Sequence, residues 1–161
     1  MITKEMQEAL NAQVNAEMWS AYLYLSMSFM ESELGYKGMS HWFREQYEEE
    51  MEHAFRITDY LEKQGAKVEL KAIAAVKTEW KNSVQMFEES LRHEKKVTKM
   101  IRDLFESARK SNDYETEVFL QWFVTEQVEE EESVRTILEA LTIAGEDVSA
   151  IRQLDSELGS R

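Results

Sequence analysis

Hydrophobic residues recur at alternating spacings of three and four along most of the chain, the period of helices with one apolar face. Pro is absent, and only five Gly are present among 161 residues. Because Gly and Pro are the residues that most often interrupt helices, long intervals without them predict long helices. We predict four, at residues 4–33, 39–64, 83–110 and 113–144, and a short amphipathic fifth helix at 147–158.

The connections between these helices predict how they are arranged. Four helices, each on the order of 40 Å long, are typical of a helical bundle. Short turns make the first pair and the last pair antiparallel, whereas residues 66–82 separate the second helix from the third. This connection of roughly 17 residues can run the length of the bundle, which would make the second and third helices parallel. We expect a single domain over residues 1–161, with the short fifth helix docked on it, because so short a helix is unstable alone.

Composition restricts the chemistry and the partners. The absence of Cys excludes a disulfide scaffold, thiol catalysis and Cys-bound metals. The 32 acidic and 19 basic residues give a formal charge of −13, which opposes binding to nucleic acid and favours cations as partners. The first residues do not resemble a signal peptide, and no segment approaches the ~18 apolar residues of a membrane span. We therefore predict a cytoplasmic protein that binds neither nucleic acid nor a membrane.

One or two acidic or amide residues interrupt the apolar stripe of each long helix near its middle. These interruptions are Glu17, Glu50, Glu94, Gln127 and Glu130. Because each is central, the four helices bring them to one level of the bundle. A buried carboxylate without a partner costs several kcal/mol, roughly, and the stripes offer no Lys or Arg at this level. Four Glu charges would balance two divalent metals, and oxygen ligands with one imidazole suit iron, manganese or, less selectively, zinc.

The imidazole follows from a short motif on the second helix. Glu50 and His53 form an E-x-x-H sequence, whose spacing puts both side chains on one helical face, as in di-iron carboxylate bundles. His41 and His93 lie outside this level, and we expect both at the surface.

Three further acids and a tyrosine lie close to the predicted site, namely Glu49, Glu126, Glu129 and Tyr24. A run of acids is usually a solvated face, but these three could instead form an exit path or an additional metal position. Tyr24 is most simply a core aromatic residue. Its hydroxyl then needs a partner, which a site carboxylate or a metal-bound oxygen could supply.

These residues resemble the bacterial non-haem ferritins, members of the ferritin-like di-iron carboxylate family, over essentially the whole chain. The matching segments are 15–17 with Tyr24, 49–53, 93–94 and, most specifically, 119–131. The resemblance implies a ferritin-like four-helix bundle with a long crossover between helices two and three. It also implies a cage of 24 subunits that oxidises Fe(II) with O₂ or H₂O₂ as a ferroxidase and stores a ferric mineral.

The resemblance further implies a role for each ligand of a di-iron centre. A first iron would be held by Glu17, Glu50 and His53. Glu50 would bridge to a second iron, which Glu94 and Glu130 would also bind.

It assigns the neighbouring residues as well. Gln127 would orient bound oxygen by hydrogen bonding, and Tyr24 matches the tyrosine that lies near such centres. Glu49, Glu126 and Glu129 match a third iron position.

Other classes of protein stay open. Residues 126–129 end in Glu where bacterioferritins carry a second E-x-x-H, which favours the non-haem branch. Met51 follows Glu50 as the haem-binding Met does in bacterioferritins, so a haem protein is an alternative, although we favour a packing role for Met51 and expect no haem. A di-iron oxidase of an organic substrate would need an apolar pocket beside the metals. A metal-free scaffold would be expected to have apolar or salt-bridged residues at the four glutamates.

Overall fold

The computed structural model describes residues 1–161 and consists of five α-helices without strands. The helices are α1 (Lys4–Glu33), α2 (Lys37–Lys63), α3 (Ser83–Lys110), α4 (Tyr114–Ala144) and α5 (Val148–Leu158). The prediction of an all-α bundle with a short fifth helix is confirmed. No helix is both long enough and apolar enough to cross a membrane.

Side-chain caps start most of the helices. Thr3, Asn82 and Asp113 each accept a hydrogen bond from a backbone N–H in the first turn of α1, α3 and α4. Asp147 does the same for α5. These oxygens satisfy amide groups that have no partner within the helix, which defines where each helix begins.

The connection between α2 and α3 runs along α1. Asn11 donates from Nδ2 to the Lys67 carbonyl at 2.8 Å, and Ser26 donates from Oγ to the Lys77 carbonyl at 2.7 Å. The connection therefore follows α1 from its beginning towards its end and returns the chain to the end at which α2 began. This confirms the predicted long crossover, and it makes α2 and α3 parallel.

The helix α5 docks against the beginning of α2, where its side chains bind backbone groups. Asp155 accepts a hydrogen bond from the Met39 amide at 2.8 Å, and Arg152 donates to the Gly35 carbonyl at 2.8 Å. A Cβ atom at Gly38 would lie 1.7 Å from the Asp155 carbonyl oxygen. Gly38 lies in the first turn of α2, and its lack of a side chain allows α5 to approach closely.

The apolar core is divided into two clusters of 12 buried residues each. One contains Leu10, Ile57 and Phe123, and the other contains Met27 and Phe43. Between them lies a layer of buried polar side chains supplied by all four long helices. The core packing thus holds this polar layer in the middle of the bundle.

Candidate metal centre

Each of the four long helices contributes one glutamate to the polar layer. The exposed fractions of Glu17, Glu50, Glu94 and Glu130 are 1%, 1%, 0% and 4%. No Lys or Arg is among the buried residues. Because buried carboxylates require a counter-charge or protons, this layer is suited to bind cations.

His53 lies between carboxylates of three helices. Its Nδ1 atom is 3.2 Å from Glu50 Oε2 and 3.7 Å from Glu17 Oε2. On the opposite side of the ring, Nε2 is 3.7 Å from Glu126 Oε1 and 4.0 Å from Glu130 Oε1. The imidazole is thus in reach of acids from α1, α2 and α4.

The donor atoms form three overlapping groups, in each of which all atoms lie within 4.8 Å of one another. The first joins Glu17, Glu50 and His53, and the second joins Glu50, Glu94 and Glu130. The third joins His53, Glu126 and Glu130. Glu50 belongs to both of the first two groups, so its carboxylate is within reach of two neighbouring positions. A donor set of carboxylate oxygens and one imidazole fits iron.

The pKa values show how the carboxylates respond to being close together. Burial raises the pKa of Glu50 well above its ordinary value, and the charges of Glu17 and Glu94 add to this shift. Burial and the Glu94 charge raise the pKa of Glu130 to about 8. Burial opposes ionisation of Glu17 too, but its interactions with the neighbouring His53 and Glu50 outweigh burial, so the pKa of Glu17 is lowered. Without metal the cluster therefore retains protons, which a bound cation would displace.

Tyr24 and Gln127 both donate hydrogen bonds to Glu94. The Tyr24 hydroxyl donates to Glu94 Oε1, and the Gln127 amide donates to Glu94 Oε2 at 3.1 Å. Gln127 also lies 3.2 Å from Thr98 Oγ1. Burial and the Glu94 charge raise the pKa of the Tyr24 hydroxyl well above its usual range, so it stays protonated as a donor. The two hydrogen bonds together fix the orientation of the Glu94 carboxylate.

The three flanking acids differ in their surroundings. Glu126 is half-buried, lies near His53, and burial raises its pKa, as do the charges of Glu129 and Glu49. Glu129 is exposed. Glu49 forms an ion pair with Arg161, whose Nη2 atom donates a hydrogen bond to Glu49 Oε1 at 2.7 Å. The structure thus joins Glu126 to the centre and leaves Glu49 and Glu129 beside it, outside the three donor groups.

A cavity of about 550 Å³ opens onto His53 and Glu126. Aromatic rings line part of it, and Arg56 lies 3.8 Å from the centre of the Trp122 ring. The rest of the lining is largely charged, with the acids Glu49, Glu52, Asp59 and Glu126. The lining therefore combines aromatic rings with charged side chains next to His53.

The two other histidines lie apart from the donor groups. His41 is at the surface, beside Glu45. The expectation that His93 lies at the surface is wrong, because its ring is half-buried, with Nε2 2.7 Å from Ser20 Oγ and the Trp19 ring centre 5.3 Å away. Burial lowers the pKa of His93 to about 4. The small Ser20 side chain on α1 leaves room for the imidazole, a detail that helical spacing does not show.

Two buried glutamines of the polar layer were not singled out from the sequence. Gln13 donates from Nε2 to Glu17 Oε1 at 2.9 Å, and Gln46 donates from Nε2 to Glu130 Oε2 at 2.9 Å. Both side chains are almost completely buried. The available signal is spacing, since each glutamine lies four residues before a stripe glutamate, Glu17 or Glu50, and so on the same helical face.

The fold and the donor set together define a helical bundle with a carboxylate centre in its core. The ferritin-like domain family matches residues 7–144 of the chain. The chain is 40% identical over 161 residues to a bacterial non-heme ferritin of Bacteroides fragilis (strain 638R), with 100% of both proteins covered. It is 37% identical to a bacterial non-heme ferritin of Staphylococcus aureus (strain USA300), with 100% of this chain and 97% of that protein covered.

Solved structures agree with these relatives. An open pore ferritin from the hyperthermophilic archaeon Archaeoglobus fulgidus superimposes with a TM-score of 0.99 and is 45% identical, with 100% of this chain and 99% of that chain covered. An engineered closed form of the Archaeoglobus fulgidus ferritin also gives a TM-score of 0.99, with 98% of that chain covered. The chain therefore belongs to the ferritin family, and the predicted resemblance is confirmed.

Proposed function

We propose that this protein is an iron store that oxidises Fe(II) at a dinuclear ferroxidase centre and deposits the ferric product inside a cage of its own copies. The observation that carries this proposal is the layer of four buried glutamates without a buried Lys or Arg. Such a layer is costly unless cations enter it. Glu50, shared by two donor groups, supports two neighbouring positions.

Fe(II) is the substrate in this scheme. One ion would bind to Glu17, Glu50 and His53, and the other to Glu50, Glu94 and Glu130. Two Fe(II) ions supply the two electrons that convert O₂ and two protons into H₂O₂, or H₂O₂ and two protons into two water molecules. Paired donors avoid release of a one-electron radical. Anionic oxygen ligands favour the harder Fe(III) product.

The neighbouring residues would support oxidation and transfer. Tyr24 and Gln127 hold Glu94 through hydrogen bonds, and we propose that Gln127 also orients the oxidant. Glu126 lies next to His53 and faces the charged cavity. We propose that Glu126, Glu49 and Glu129 form a third iron position through which oxidised iron leaves the paired sites.

The surface of the single chain supports assembly. Large hydrophobic side chains are exposed on several elements, including Phe29 at 54%, Phe55 at 53% and Ile143 at 87%. Burial of these side chains against other copies would remove apolar surface from water. We propose a cage of 24 copies in the cytoplasm, where Fe(II) is available for storage.

The first experiment measures aerobic oxidation of Fe(II) by stopped-flow absorbance, with oligomer mass determined by analytical ultracentrifugation. The wild type should oxidise about two Fe(II) per subunit in a fast phase. Glu50→Ala should lose this phase while retaining the helical fold and the assembly. Glu48→Ala, which changes an exposed acid of the same helix, is the matched control. A fast phase of unchanged size in Glu50→Ala would show that the site is misplaced.

A second experiment separates storage from an oxidase whose iron stays in place. Replacement of Glu49, Glu126 and Glu129 together by Ala should preserve the first fast turnover and change later turnovers. Fe(II) is added in successive portions, and oxidant consumed and iron retained per subunit are measured. Unaltered stoichiometry and loading over many additions would reduce these three acids to a solvated face.

A further inference from the structure

Two buried glutamine side chains each donate a hydrogen bond to one carboxylate of the centre. Gln13 Nε2 donates to one oxygen of Glu17, and Gln46 Nε2 donates to one oxygen of Glu130, both at 2.9 Å. The first contact lies within α1, and the second joins α2 to α4. Each glutamine is at most 2% exposed, so no competing bulk water surrounds these bonds.

The second oxygen of each carboxylate is directed towards the donor groups. Glu17 Oε2 is buried, has no hydrogen-bond partner, and lies 3.7 Å from His53 Nδ1. Glu130 Oε1 lies 4.0 Å from His53 Nε2, whereas Glu130 Oε2 accepts the bond from Gln46. Each of these glutamates therefore has one oxygen engaged by an amide and one oxygen left for a cation.

The choice of an amide has chemical consequences. A Lys or Arg in the same place would neutralise the carboxylate and compete with the cation, whereas a neutral N–H donor leaves the negative charge in place. The hydrogen bond also restricts rotation of the carboxylate about its last torsion, which is otherwise broad. An oriented carboxylate binds a metal more tightly than one that must first be ordered.

We propose that Gln13 and Gln46 are positioning residues that present Glu17 and Glu130 to the two metal positions through one oxygen each. The inference rests on the proposed function to the extent that the centre binds divalent cations. Glu17 belongs to the donor group with Glu50 and His53, whereas Glu130 belongs to the groups with Glu50 and Glu94 and with His53 and Glu126. No donor group contains both Glu17 and Glu130, so we assign each amide to a different metal position.

The test uses a cation that undergoes no redox reaction, so that binding is measured apart from ferroxidation. Zn(II) binding to the assembled protein is followed by calorimetry, and Co(II) binding is followed by visible absorption, which reports ligand number and geometry. The variants are Gln13→Met and Gln46→Met, since Met has similar length and flexibility but no N–H donor. Gln7→Met is the control, because Gln7 lies on the same helix as Gln13 and its Oε1 atom accepts a hydrogen bond from the Lys67 backbone N–H, away from the centre.

Each variant should weaken one of the two Zn(II) positions by about 10–100-fold and leave the other near its wild-type affinity. The Co(II) spectrum should change in each variant, and the double variant should lose both positions. The melting temperature of the metal-free protein should change little compared with these losses. Gln7→Met should bind both cations as the wild type does.

Three results would overturn the inference. Wild-type affinity and Co(II) spectra in both variants would show that the amides position nothing. An equal loss at both positions together with a lower melting temperature would show a structural role only. If the wild type itself binds no Zn(II) or Co(II), the proposed function fails, and the positioning role fails with it. Should a Met variant not fold, Gln13→Asn and Gln46→Asn replace it, because their shorter amides keep polarity and lose reach.

Discussion

Glu130→Gln is expected to stabilise the metal-free protein while removing a metal ligand. Glu130 is 4% exposed and accepts a hydrogen bond from the Gln46 amide. A glutamine of nearly the same volume retains an acceptor oxygen for this bond and removes the charge. The substitution therefore measures what the buried charge of Glu130 costs in folding free energy, while side-chain packing stays almost unchanged.

The magnitude follows from the pKa of Glu130, which burial and the Glu94 charge raise from 4.5 to about 8. An acid whose pKa is raised by folding keeps a proton that the unfolded chain releases. The stability that this proton contributes is therefore fully present below about pH 4.5, decreases as the pH rises, and is lost above about pH 8. The shift corresponds to an upper bound of about 5 kcal/mol at about 1.4 kcal/mol per pH unit. Since the pKa values of Glu94 and Glu130 are both raised and the charge of Glu94 acts on Glu130, the two titrations interact, and we expect about half of this, ~2–3 kcal/mol.

The assay compares thermal unfolding of metal-free wild type and variant at pH 5 and pH 9. At pH 9 the variant should melt about 5–10 °C higher, and at pH 5 the two proteins should melt within about 2 °C of each other. Zn(II) should then raise the melting temperature of the wild type more than that of the variant. Glu132→Gln, at an exposed acid of the same helix outside the proposed metal positions, is the control. Equal melting temperatures of variant and wild type at pH 9 would refute the electrostatic reasoning.

Three further substitutions test separate parts of the structure. His53→Ala should abolish the fast oxidation of Fe(II) in stopped-flow measurements and leave the circular dichroism of the bundle unchanged; a retained fast phase would exclude His53 as a ligand. Burial raises the pKa of Glu31, which accepts a hydrogen bond from Ser83, to about 7. The stability that the bound proton contributes therefore falls as the pH rises from about 4.5 to 7. The free energy of unfolding of Glu31→Gln should exceed that of the wild type by about 1–3 kcal/mol at pH 8 and equal it at pH 4. Arg161→Gln should free Glu49 from its ion pair and increase the iron retained after the first turnover, and unchanged retention would show that this pair does not compete with iron.

Much of the fold follows from the helical period of the sequence. A stripe of apolar residues must be buried whatever its neighbours are, so five helices and a bundle could be predicted from spacing alone. The crossover could be predicted from the length of the segment after α2, because only a long connection can return the chain to the end of the bundle at which α2 began. The central level of Glu17, Glu50, Glu94 and Glu130 could likewise be read from position, since the middle of a helix stays central whichever way the helix points.

The partners of those glutamates were decided by the tertiary structure. Helical spacing defines a face to within about 100°, which is too coarse to separate a buried residue at its edge from a solvated one. Gln13 shares a helix with Glu17, but the burial of its amide depends on the packing of the bundle, and Gln46 meets Glu130 only because the fold brings α2 and α4 together.

Contacts with the end of the chain and between helices depend on the same three-dimensional packing. Arg161 reaches Glu49 because Gly38 lets α5 approach α2 closely, and His93 is half-buried because Ser20 on another helix leaves space for it. The sequence by itself determined which faces are buried and that acids interrupt them. The rotation and separation of the helices determined which donor meets which oxygen, because a hydrogen bond depends on distances of a few tenths of an ångström that local periodicity does not encode.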